Sequence, residues 1–88
     1  MSLSPWDSQN VILQELLTNV RNDAQLTQKQ LATLIGKPQS YVSKYETGER
    51  RLILPEIRKI AICCGSDLKM FVAAFEKEIN LIGGNDES

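Results

Sequence analysis

The chain has 88 residues, 42% of them hydrophobic and 24% charged, which excludes a disordered or fibrous chain and allows one hydrophobic core without disulfides. No apolar run approaches the roughly 20 residues that cross a bilayer, and the start of the chain lacks the apolar stretch of a signal peptide, so a cytoplasmic protein with no membrane partner is expected. The net charge of −1 argues against nucleic acid until it is mapped: Lys29, Lys37, Lys44, Arg50 and Arg51 face only Glu46 and Glu49 within residues 27–51, a local +3 between two flanks of −2, and phosphate neutralisation depends on local cations.

From Val11 to about Ala24, Leu13, Leu16, Leu17 and Val20 recur with the i, i+3, i+4, i+7 spacing of an amphipathic helix. Gln25-Leu26 reads as a turn. Thr27 with Gln30 three residues on matches a capping box, which starts a second helix. That helix buries Leu31, Leu34 and Ile35 and stops at Gly36, whose missing Cβ suits the left-handed residue after a helix. Pro38 favours a first-turn position, so a third helix is expected from Gln39 to near Gly48. Pro55 opens a fourth, burying Ile57, Ile60 and Ala61 and ending at Gly65. Ser66 is read as the cap of a fifth, along which Leu68, Phe71, Val72, Phe75 and Ile79 keep helical spacing. Residues 1–10 are expected to form a flexible N-terminal segment, residues 11–82 one helical domain, and residues 83–88 a disordered tail.

Chemistry of the catalytic kind has little to work with. The chain contains no histidine, and its two cysteines, Cys63 and Cys64, are adjacent. A structural zinc site needs four ligands, so no metal is expected and the cysteines read as small buried hydrophobes. Without a base beside the cysteines, a Gly-rich phosphate loop or a paired carboxylate motif, neither catalysis nor a cofactor is expected.

Projected at 100° per residue, Gln39, Ser40, Ser43, Lys44 and Thr47 share one polar arc of the third helix. Val42 and Tyr45 point toward the core, with Tyr41 at the edge. Gln can pair with adenine through two hydrogen bonds and Lys can donate to guanine O6 and N7. A solvated surface helix has a polar face too, so the arc alone does not choose between the two roles.

A more specific signal is the ordered set Leu26-Thr27-Gln28-Lys29-Gln30-Leu31-Ala32, Ile35-Gly36, and Gln39-Ser40-Tyr41-Val42-Ser43-Lys44-Tyr45-Glu46-Thr47-Gly48. It closely resembles the helix-turn-helix of Cro-like and phage-repressor-like (XRE-type) regulators, and the likeness extends over about Leu17 to Asp67. The resemblance implies an all-α, compact five-helix bundle of the lambda-repressor-like kind, with the third helix in the major groove and the second across the backbone. It implies base contacts from Gln39, Ser40, Ser43 and Lys44. Backbone contacts fall to Gln28, Thr27, Lys37, Tyr41, Thr47, Arg50 and Arg51, with Gln28 also supporting Gln39. Arg21 and Glu46 correspond to family positions that pair with each other for structural reasons. One departure is Pro38, which stands where many relatives have a Ser or Thr cap.

The expected partner is therefore double-stranded DNA, bound by a homodimer acting as a repressor on a palindromic operator. Helix five either dimerises the protein or only closes the core. The alternative function is a protein-interaction module, such as the antitoxin partner of a toxin–antitoxin pair.

Overall fold

The stripe predicted for the first helix is carried by α1 (Pro5–Asp23), which buries Leu17 and packs Leu13, Leu16 and Val20 against the core. In the computed structural model, which describes residues 5–81, four more helices follow: α2 (Gln28–Ile35), α3 (Gln39–Thr47), α4 (Leu54–Cys63) and α5 (Leu68–Leu81). No strand occurs among the described residues. Nor is any described helix long and apolar enough to cross a membrane.

One cluster holds the fold together: Leu17 of α1, Leu31, Ala32 and Ile35 of α2, Tyr41, Val42 and Tyr45 of α3, Ile60 and Ala61 of α4, and Phe71 of α5. Every helix contributes, and burying each large aliphatic or aromatic side chain contributes about 1.5–3 kcal/mol before the entropy of ordering is subtracted. The rings of Tyr41 and Tyr45 meet edge to face with centroids 5.8 Å apart.

Three helices end in the same way. The N–H of Leu26 reaches back to Arg21 O, that of Lys37 to Ala32 O and that of Ser66 to Ala61 O. The preceding residue, Gln25, Gly36 or Gly65, takes a positive φ. This double-bonded ending satisfies carbonyls that the helix leaves open. Gln25, at φ 61°, achieves it without the freedom of glycine.

The structure corrects several expectations. Helix α1 starts at Pro5, ahead of the expected Val11, because proline suits a first helical position and Asp7 in the first turn complements the helix dipole. Within the segment expected to be flexible, residues 5–10 are therefore helical. Residues 1–4 and the tail at 83–88 lie outside the described residues. Leu34 is 54% exposed. The buried arc of α2 is centred between Leu31, Ala32 and Ile35, and Leu34 falls about 100° away from it. Helix α5 is capped by Asp67 and not Ser66: Asp67 Oδ1 accepts from the N–H of Met70 at 2.8 Å, and its carbonyl accepts from Phe71. Ile57 and Phe75 are only half-buried, Val72 is exposed, and both cysteines are half-buried free thiols against the core.

Candidate nucleic-acid interface

Helices α2 and α3 are joined by Gly36-Lys37-Pro38, and both ends of α2 are fixed locally. Thr27 Oγ1 accepts from Gln30 N at 3.0 Å while Gln30 Oε1 accepts from Thr27 N at 2.8 Å. Gly36, at φ 73°, turns the chain. Pro38 precedes α3 in extended conformation with no side-chain cap, and its carbonyl accepts from Tyr41 N. The short connection sets α3 on a base of Val42 and Tyr45, which are 0% and 1% exposed. On the opposite side Gln39, Ser40, Lys44 and Thr47 are exposed and Ser43 is half-buried. The polar arc read from the sequence is thus a continuous outward face on a rigid helix.

The N-terminal end of that face is tied into the protein by successive side chains. Gln39 Nε2 donates to Gln28 Oε1 at 2.7 Å, and Gln28 Nε2 donates to Glu46 Oε1 at 3.0 Å. Glu46 in turn accepts from Arg21, with Nε at 2.7 Å from Oε2 and Nη2 at 3.0 Å from Oε1. Arg21 Nη1 continues to the carbonyl of Leu26 at 2.8 Å. The Arg21 and Glu46 side chains are 12% and 6% exposed, and the hydrogen bond that Arg21 donates to Glu46 raises the pKa of Arg21 above its ordinary value. The expected pairings of Gln28 with Gln39 and of Arg21 with Glu46 are both present. The link between Glu46 and Gln28 has no signature in sequence spacing, since the residues are 18 apart on different helices.

The cations around this face are of two kinds. Arg50 lies over the ring of Tyr41, with Cζ 4.7 Å from the centroid, and reaches Glu56 at 3.6 Å. Lys37 Nζ is 5.4 Å from the same centroid. Lys44 and Arg51 are exposed and enter no ion pair among the described residues. Tyr41, expected at the DNA backbone, is buried at 8% exposure with its hydroxyl donating to Glu56 at 3.0 Å. It seats Arg50 and Lys37 and does not present its own hydroxyl. Sequence reading missed Glu56. Its place in the first turn after Pro55 was the available signal, because a carboxylate there can accept from the backbone, as Glu56 Oε1 does from Ile53 N at 2.9 Å. That bond, followed by the one from Tyr41 and by the charge of Arg50, holds the Glu56 carboxyl below its ordinary pKa.

No group of three or more potential metal ligands occurs among the described residues. A helix-turn-helix family model matches residues 17–71, covering the tied glutamines and the whole of α2 to α4. No curated protein matches the chain. Among solved structures, the chain is similar to an XRE-family like protein from Pseudomonas syringae pv. tomato, with 36% identity, a TM-score of 0.76, and coverage of 82% of this chain and 88% of that one. The chain belongs to the XRE-type helix-turn-helix family of DNA-binding transcription regulators.

Proposed function

We propose that the protein is a sequence-specific repressor that binds a palindromic operator as a homodimer, with α3 in the major groove. The observation that carries this reading is the bond between Gln39 and Gln28, which anchors one end of an exposed polar face instead of leaving it to solvent. Gln39, Ser40, Ser43 and Lys44 read base edges. Gln28, Thr27, Lys37, Thr47, Arg50 and Arg51 approach the phosphates. Gln39 keeps one N–H and its carbonyl oxygen outward, the donor and acceptor that an adenine edge complements. Lys44 supplies a cation for guanine or phosphate. The uncapped start of α3 leaves backbone N–H groups that a phosphate can satisfy.

Dimerisation through α5 is supported by the exposure of Met70, Val72 and Leu81 along it. Exposed Ile53, Leu54 and Ile62 also give substance to the second reading, a module that binds another protein, as the antitoxin of a toxin pair does. Selection of duplexes from a random library at about 0.1 M salt separates the two. An enriched inverted repeat supports a dimeric repressor. A folded protein that enriches nothing would reject it in favour of the protein partner.

A further inference from the structure

We propose that Glu46 is a positioning residue for base reading, one that fixes which way the amides of Gln28 and Gln39 face. This rests on the DNA-reading role given to Gln39 above. An ionised carboxylate can only accept hydrogen bonds, whereas a glutamine amide can turn either end toward a partner. Glu46 Oε1, 3.0 Å from Gln28, therefore demands the Gln28 Nε2 end. The other end, Oε1, is left facing Gln39 and can only accept, so Gln39 must present its own Nε2, as it does at 2.7 Å. Turning either amide over would set oxygen against oxygen. The order of donors and acceptors at the surface is thus dictated by a charge two side chains away.

Glu46 can impose this because it is held in place by its own partners. Arg21 grips both of its oxygens and is itself tied to the Leu26 carbonyl. Its side chain is only 6% exposed, so little water competes for it, and a hydrogen bond to a charged acceptor is stronger than one between neutral amides. Gln28 gives one of its two N–H groups to Glu46 and keeps the second for a phosphate. Gln39 likewise gives one N–H inward and keeps the other, together with its oxygen, for a base. Arg21 and Glu46, which bind α1 to α3, thereby also set the selectivity of the reading face.

The test has one arm without DNA and one with it. In the free 88-residue chain, ¹⁵N relaxation of the Gln28 and Gln39 side-chain amides should show both as ordered as the backbone. Gln28→Met keeps the volume and leaves Arg21 and Glu46 paired, so the protein stays folded while the Gln39 amide becomes mobile. Glu46→Gln should loosen the same amide where the variant remains folded. A mobile Gln39 amide in the unsubstituted protein, or one that stays ordered in Gln28→Met, overturns the proposal.

In the second arm, the base position that responds to Gln39→Ala should lose about tenfold in discrimination in Gln28→Met, while discrimination at the position that responds to Lys44→Ala is kept. An equal loss of affinity for every base, with discrimination unchanged, assigns Glu46 and Gln28 no part in selectivity and overturns the proposal. Ordered amides with no selected operator count against the DNA-reading role, and support the fixed amide order by themselves.

Discussion

Arg21 and Glu46, 25 positions apart in the chain, meet side by side through two hydrogen bonds of 2.7 and 3.0 Å, and in doing so fasten α1 to the last turn of α3. With the two side chains 12% and 6% exposed, each is costly to leave alone. Removing one partner strands a desolvated charge, an effect of about 3–5 kcal/mol where burial is complete and less where water enters. Arg21→Met is expected to lower the unfolding free energy by an amount in the lower part of that range, read as a fall in the denaturant midpoint. The double variant Arg21→Met with Glu46→Leu should be more stable than the sum of the single losses, because no unpaired charge remains. Equilibrium urea unfolding of the four proteins checks this; strict additivity would show that the two charges do not depend on each other.

Capping of α5 gives a second expectation. Asp67 Oδ1 satisfies the N–H of Met70, whereas Ser66 gives its backbone N–H to Ala61 O at the end of α4. Asp67→Ala should therefore cost about 1 kcal/mol, while Ser66→Ala should leave stability within a few tenths of that of the parent. Thermal unfolding of the two variants distinguishes them, and the opposite ranking would return the cap to Ser66.

What could be read beforehand follows the range of the forces involved. The capping box at Thr27 and Gln30, the stop at Gly36 and the stripe of α1 are local, so residue type and spacing carry them. The first turns of α1 escape a periodicity reading because Pro5 to Asn10 carries no apolar stripe, although proline itself marks a helix start. Leu34 misled because hydrophobicity says nothing about which side of a short helix the core occupies. The interface divides in the same way. Pairing of Gln28 with Gln39 was accessible only through the family resemblance, and the expectation that Tyr41, at the edge of the buried side, contacts the DNA backbone had no sign of its partner Glu56, on another helix 15 residues along the chain. Contacts between helices leave no periodic trace.

Glu56 gives the fold a dependence on acid. Its carboxyl is held below the ordinary value, first by the Ile53 N–H and then by Tyr41 and Arg50. A carboxyl whose folded pKa is depressed contributes stability that is present above its unfolded pKa, roughly 4.3, and is lost as pH falls through the folded value. Stability should thus decline below about pH 4.5, and Glu56→Gln should flatten part of that decline while lowering stability at neutral pH. Unfolding midpoints measured from pH 3 to 7, in conditions of about constant ionic strength, read the effect. An unchanged acid slope in Glu56→Gln would remove Glu56 as its source.

Gly48 ends α3 at φ 88°, and a Cβ built there would stand 2.6 Å from Gln14 Nε2. The backbone conformation costs an L-residue roughly 1–2 kcal/mol. Gln14 is a flexible side chain that can withdraw, so the steric part adds less than the backbone part. Gly48→Ala is expected to destabilise by about 1–2 kcal/mol, and Gln14→Ala in the same chain should recover only a small fraction. Full recovery would show that the clash, not the left-handed backbone, sets the cost.

Salt dependence separates the two kinds of cation beside α3. Arg51 and Lys44 are exposed without ion pairs among the described residues, whereas Arg50 is stacked on Tyr41 and held by Glu56. A cation that neutralises one phosphate contributes about 0.9 to the slope of log affinity against log salt. On the proposed DNA-binding role, Arg51→Ala should reduce the slope by about that amount. Arg50→Ala should reduce it less, because part of the guanidinium charge is already balanced by Glu56. Freed of that carboxylate, Arg50 has more to offer a phosphate, so Glu56→Gln should steepen the slope while Arg51→Ala flattens it. Titrations of a labelled operator at four or more salt concentrations supply the slopes. Equal losses for the two arginines, with no change in Glu56→Gln, would mean that Arg50 leaves Tyr41 and Glu56 altogether when DNA is bound.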